Sequence, residues 1–189
     1  RLQDPLYKES LLAGIEGANA SGLEVFLVGG GAIQYYTPNP DLRRPTLDVD
    51  IQNRIYIPVS LRNLWGRNTL RHLSERNCRG RFTNAKEKSG AEIKLVTSDD
   101  EPFFIHLDLY ANSYLRRHQD QINESFQRNK RMNIDGKKEG HSYFVQAPED
   151  LVTYKVKRLI IALGTERLNA EDQRRVQLIC SGLIDDVNL

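Results

Sequence analysis

Leu11, Leu12 and Ile15 recur at helical spacing, so residues 6–20 are expected to form an amphipathic helix stopped by Ser21 and Gly22. Residues 24–28, apolar from Val25 to Val28, show the pattern of a short buried strand. Gly29, Gly30 and Gly31 then make a tight turn, and residues 32–36 start a helix. Residues 37–45 carry three prolines and read as a loop. Residues 46–53 alternate in polarity, the period of a strand with one covered face. Residues 60–77 read as a helix with Leu61, Leu64, Trp65 and Leu73 as candidate core positions. Weak strands follow at 81–86 and 92–97, then a turn at 98–102 and the clearest strand of the chain at 103–110. Residues 114–129 fit neither period cleanly, whereas 131–134 and 142–146 flank a Gly-containing segment and predict a hairpin.

The pattern changes at Pro148. Proline followed by Glu149 and Asp150 is a helix-start signal, and Leu151, Val152, Tyr154, Val156, Leu159, Ile160 and Leu163 continue it to a stop at Gly164. A second helix is expected over 169–181. The chain therefore divides into an α/β part at 1–146 and a helical part at 147–189. It begins at Arg1 rather than Met, which points to a processed or excerpted chain. Its last residues, 186–189, read as a helix in progress, so further C-terminal sequence is expected.

Composition narrows the class. With 189 residues, 39% hydrophobic and 28% charged, the chain can build a core without disulfide staples. No stretch approaches the ~18 apolar residues that span a bilayer, and no secretory leader is visible. The two cysteines, Cys78 and Cys180, have no CxxC or Cys/His spacing, which suits free thiols in a reducing cytoplasm. The four histidines are scattered without HExxH spacing, and no GxSxG elbow occurs.

The net charge of +2 hides an uneven distribution. Residues 62–94 hold nine basic and three acidic side chains, and residues 116–138 hold seven and three, so the remainder of the chain sums to −8. A basic zone beside an acidic one suits a protein that handles a polyanion with the help of cations. Solvated basic surfaces would look the same by charge alone.

The acidic chemistry is localised. Asp48 and Asp50 stand two apart on a strand and so share a face, together with Thr46, about 7 Å apart along it. Leu47, Val49 and Ile51 take the other face. Two aligned carboxylates repel unless a cation sits between them, and a hard divalent ion is the usual partner. The strand at 103–110 repeats the logic: Phe103, Ile105, Leu107 and Leu109 face one way, and Phe104, His106, Asp108 and Tyr110 the other. If the two strands are neighbours, Asp108 converges on Asp48 and Asp50, a set able to hold two metal ions for phosphoryl transfer. His106 lies on that face too, where a structural or surface histidine is the simpler reading. The glycine turn fits neither GxGxxG nor GxxxxGK[ST], but it lets the backbone approach a ligand at a helix N-terminus.

Taken together, FLVGGGA, TLDVD and HLDLY resemble the DNA polymerase β-like nucleotidyltransferase superfamily. Asp150 and Lys155 in a DxxxxK arrangement, Asp172 at the start of the last long helix, and Arg43 before Thr46 look like the motifs of AbiEii-type nucleotidyltransferase toxins. The resemblance spans about 26–182 and implies an α+β fold: a mixed sheet with flanking helices, then a small helical part. It implies Mg²⁺ (or Mn²⁺) on Asp48, Asp50 and Asp108, and a nucleoside triphosphate held by Gly29, Gly30, Thr46, Asp150, Lys155 and Asp172. Lys155 would also offset developing charge. Gly30 and Gly31 replace the Gly-Ser of many members. CCA-adding enzymes also carry Gly-Gly, but an Arg-Asp follows it, where this chain has Ile33 and Gln34.

The expected reaction moves a nucleoside monophosphate from a triphosphate to a hydroxyl on RNA, such as tRNA, or on protein. The basic stretches 62–94 and 116–138 would meet RNA, and a cognate antitoxin is the partner that the resemblance implies. The alternatives are a small-molecule acceptor, as in antibiotic-modifying nucleotidyltransferases, and a non-catalytic nucleic-acid-binding module on the same fold.

Overall fold

The computed structural model describes residues 5–36, 48–86, 90–97, 102–108, 120, 124, 127, 130–133 and 142–152. Helix α1 covers Pro5–Asn19, with proline in its first turn, where no intrahelical N–H is needed. Strand β1, Val25–Leu27, leads directly into helix α2, Gly29–Tyr36, and β2 spans Asp48–Asn53. Helix α3 covers Val59–Glu75, and the strands β3 (Gly80–Thr83), β4 (Ala91–Leu95) and β5 (Phe103–Leu107) follow. Strands β6 (Lys130–Asn133) and β7 (Ser142–Val145) form the expected antiparallel hairpin, and residues 148–152 are helical. No helix among the described residues is long and apolar enough to cross a membrane.

The seven strands make one mixed sheet in the order β3-β4-β5-β2-β1-β7-β6. Strands β2 and β5 run parallel, as do β1 and β7, and the other neighbours are antiparallel. Alternation sends Val49, Ile51, Ile93, Leu95, Ile105 and Leu107 into one buried core. Helices α1 and α3 pack on that face and against each other. The helix pair is close because its contact points are small. A Cβ at Gly17 would run into the backbone of Thr69 on α3, and on the side of the sheet one at Gly14 would run into the Ile51 side chain of β2. Trp65 Nε1 donates to Gly14 O at 2.8 Å, so the largest core side chain is also satisfied.

Three elements differ from the sequence expectation. The inward stripe of α3 is Arg62, Trp65, Gly66, Thr69 and Leu73, spaced i, i+3, i+4, i+7 and i+11. Leu64, expected inside, is 40% exposed, and Leu61 packs only at the margin. A glycine, a threonine and an arginine occupy the core stripe, which apolarity alone cannot reveal. Helix α2 begins at Gly29 rather than at Ala32, taking the whole glycine run into its first turn. Strand β5 ends at Leu107 because Asp108 turns into the left-handed region with φ 58°. The expected helices beyond residue 152 and most of 114–129 lie outside the described residues.

Gly17→Ala should lower unfolding free energy by more than about 1 kcal/mol, the usual cost of overpacking, because backbone rather than a flexible side-chain tip blocks the added methyl. Ser74→Ala, on the exposed side of α3, should stay within about 0.5 kcal/mol of wild type. Urea unfolding of the two variants checks both values.

Candidate active site

The site lies on the face of the sheet away from α1 and α3. Strand β2 buries Val49 and Ile51 and leaves Asp48 and Asp50 half-buried on the other side, as period-two alternation requires. Two lateral rows follow from the registers. Asp50 pairs with His106, His106 with Glu92, and Glu92 with Thr83. Asp48 pairs with Phe104, Phe104 with Lys94, and Lys94 with Arg81.

One oxygen from each of Asp48 and Asp50 and one ring nitrogen of His106 lie within 4.8 Å of one another. Glu92 Oε2 approaches His106 Nδ1 at 3.6 Å. The α2 glycine turn closes on the same group. Val28 N donates to Asp50 O, and Gly29 sits at φ 63°. A Cβ at Gly29 would stand 2.5 Å from Asp50 Oδ2. Glycine is needed there twice over, for the backbone angle and for the approach. Burial pushes the Asp50 carboxyl up, to about 7, and the neighbouring charge of Asp48 adds to this. The donor set is thus two crowded carboxylates and an imidazole whose repulsion a cation would relieve. The two carboxylates fit a hard divalent ion such as Mg²⁺ or Mn²⁺, and the imidazole adds a nitrogen donor that suits a transition ion better than Mg²⁺.

Asp108 stands elsewhere. The sequence expectation put its carboxylate with Asp48 and Asp50, but His106 takes the position facing Asp50. Asp108 N donates to Ile51 O, the backbone then turns at φ 58°, and the alternation of β5 ends. Its side chain is wholly buried, with Oδ2 at 3.1 Å from Arg62 Nε and Oδ1 accepting from Gln52 Nε2. Arg62 also donates to the carbonyls of Ile57 and Lys86. Burial pushes the Asp108 carboxyl up, to about 7, while Arg62, the Gln52 side chain and the Asn53 backbone oppose the rise. Arg62, counted from the sequence among surface cations, is therefore an internal counter-ion.

The other expected site residues divide. Gly30 lies in the first turn of α2, beside Gly29. Asp150 is half-buried in the helical turn that starts at Pro148, where its N–H donates to Ala147 O at 3.1 Å. Thr46, Lys155 and Asp172 lie outside the described residues, as does most of the basic stretch 116–138. Of the stretch 62–94, Arg67, Arg71, Arg79, Arg81, Lys86 and Lys94 are exposed, whereas Arg76 is tied to Glu9 and Glu16. Glu92 was not anticipated. Its signal is alternation in β4, too weak to read until the neighbouring strand is known.

No family model matches this sequence, and no curated protein matches it. Among solved structures, the chain is similar to an antigenic nucleotidyltransferase-like protein from Paracoccidioides brasiliensis, with a TM-score of 0.54 at 13% identity, over 97% of this chain and 77% of that one. It also aligns with the antibiotic-resistance factor ANT(2'')-Ia, with a TM-score of 0.48 at 14% identity, over 98% of this chain and 89% of the other. The first likeness establishes the fold: a mixed α+β architecture of the nucleotidyltransferase type.

Two outcomes follow from the electrostatics. The folded Asp50 and Asp108 carboxyls titrate near 7 against 3.8 for a free carboxyl, so the native state holds protons that the unfolded chain releases. Metal-free stability should therefore fall as pH rises from about 4 to about 7 and level off above. Asp50→Asn should remove its share of that slope, and Mg²⁺ should raise the melting temperature at pH 8 more than at pH 5. Melting curves across pH, with EDTA or Mg²⁺, check this. Separately, Arg62→Met should cost about 3–5 kcal/mol by leaving Asp108 buried and unpaired. The double variant Arg62→Met with Asp108→Leu should recover part of the loss, as denaturant unfolding would reveal.

Proposed function

We propose that this protein is a metal-dependent nucleotidyltransferase that moves a nucleoside monophosphate from a nucleoside triphosphate to a hydroxyl acceptor and releases pyrophosphate. One observation carries the reading: Asp48, Asp50 and His106 converge beside the N-terminus of α2, on a sheet of the nucleotidyltransferase type. Asp48, Asp50 and His106 would hold the cation, which when bound supplies positive charge to the triphosphate and to the oxygens that attack and leave. Glu92 Oε2, 3.6 Å from His106 Nδ1, adds a third carboxylate beside the imidazole. The half-buried first turn of α2, at Gly29 and Gly30, offers backbone N–H groups and the positive end of the helix to phosphate oxygens.

The transfer balances simply. The acceptor hydroxyl passes its proton to solvent and its oxygen bonds to the α-phosphorus, while the bond from that phosphorus to pyrophosphate breaks and pyrophosphate leaves with the electron pair. The carboxylates favour this by fixing the cation rather than by bonding to substrate. By family resemblance, Lys155 binds a phosphate, and Thr46, Asp150 and Asp172 line the nucleotide site. The same resemblance supports a toxin-like role with an RNA or protein acceptor and a cognate antitoxin.

Asp48→Asn and Asp50→Asn should each lower incorporation of labelled nucleotide by at least about a hundredfold while the fold persists. Offering total RNA, protein and small hydroxylated compounds to the wild-type enzyme identifies the acceptor. Full incorporation by the doubly substituted protein would sink the assignment. Magnesium-dependent triphosphate binding separates the enzyme from a binding module on the same fold.

A further inference from the structure

Phe104, Lys94 and Arg81 lie on the site face but outside the metal-ligand cluster. They continue the lateral row that starts at Asp48, one residue per strand across β2, β5, β4 and β3. With neighbouring strands ~4.8 Å apart, the row extends ~14 Å from Asp48 to Arg81. Phe104 is half-buried, its ring stacked with His106 at 5.8 Å between centroids and 15° between planes. Lys94 Nζ stands 5.9 Å from the centre of the Phe104 ring. Lys94 and Arg81 are both exposed, and no carboxylate among the described residues pairs with either.

Two like charges directly opposite each other on paired strands destabilise the sheet locally. Arg81 lies on an edge strand, where a cation guards against edge-to-edge pairing. That does not account for Lys94 on an interior strand or for an aromatic ring beside it. One aromatic ring followed by two cations on an open sheet face suits a polyanion with flat bases. A polycationic small acceptor would meet repulsion from the same row. Stacking on Phe104 requires an unpaired base, so the occupant is single-stranded. At ~3.4 Å per stacked nucleotide, the row holds about four.

We propose that this row is the acceptor track of the enzyme. It holds the end of a single-stranded nucleic acid, with a base on Phe104 and phosphates on Lys94 and Arg81, so that the terminal hydroxyl faces Asp48 and Asp50. The proposal rests on the transferase reading above and names its acceptor class.

The test is fluorescence anisotropy with a short labelled single-stranded RNA, and the DNA of the same sequence, in EDTA without nucleotide and over a KCl series. Arg81→Ala with Lys94→Ala should weaken binding at least about tenfold and reduce the magnitude of the log–log salt slope by about 1.4, two phosphate contacts at ~0.7 each. Phe104→Leu should weaken binding at least about fivefold with the slope unchanged. The control Arg67→Ala with Arg71→Ala, on α3 across the sheet, should bind like wild type. Either strand type following this pattern supports the track. Wild-type affinity in both row variants, equal weakening by the α3 control, or tighter binding of a duplex would overturn it. Stabilisation by Mg²⁺ and a triphosphate, measured in parallel, reports separately on the transferase reading. Loss of that signal with the strand pattern intact would overturn the enzyme and leave the track standing as a binding site.

Discussion

Strand β2 sits between β1 and β5, and the residues at its start are set by both neighbours. Its antiparallel pairing with β1 brings Asp50 beside the glycine turn, and its parallel pairing with β5 brings Asp50 opposite His106. A slip of one residue in either ladder would turn Val49 and Ile51 to solvent and both carboxylates into the core. The apolar back of the strand is therefore what keeps the acidic pair in place. The charge repulsion at Asp48 and Asp50 is borne by the packing of Val49 and Ile51 under α1.

The two ends of the β2–β5 pair treat their carboxylates in opposite ways. At one end, Asp48 and Asp50 crowd together on the open face, and burial with mutual repulsion raises Asp50. At the other, Asp108 is wholly enclosed and faces the guanidinium of Arg62. An arginine stays charged at any accessible pH, so this carboxylate already has its counter-ion. One acidic group is thus neutralised inside the protein, while the other two stand together on the open face. Phe104 and His106 stack beside that pair and carry the polar face on towards the cations of β4 and β3.

Much of the fold was legible because it rests on period and punctuation. Alternation marked β2 and β5, glycine and proline marked the turns, and helical spacing marked α1. The two aspartates were legible for the same reason, since Asp48 and Asp50 share a strand face that a period of two dictates, whereas His106, expected to be a structural or surface histidine, joins them only through the register of β5. The inward face of α3 was harder, since its stripe runs through Arg62, Gly66 and Thr69 as well as Trp65 and Leu73. Gly66 is inside because the Phe82 ring fills the space of its missing side chain, a partner far along the chain. Arg62 is inside because Asp108 is there to meet it.

The linear chain alone determined which residues are candidates for the chemistry: two aspartates on a strand with an apolar back, a glycine turn entering a helix, and a later strand with polar groups on one face. These are local facts, fixed by dihedral preferences and side-chain periodicity within a few residues. Only the tertiary structure decided which of those groups meet. Strand order and register are set by core packing across elements distant in sequence, and they placed His106 rather than Asp108 against Asp50. The left-handed turn at Asp108 ended the alternation by which its side chain had been assigned to that face, and the buried guanidinium of Arg62 claimed its carboxylate.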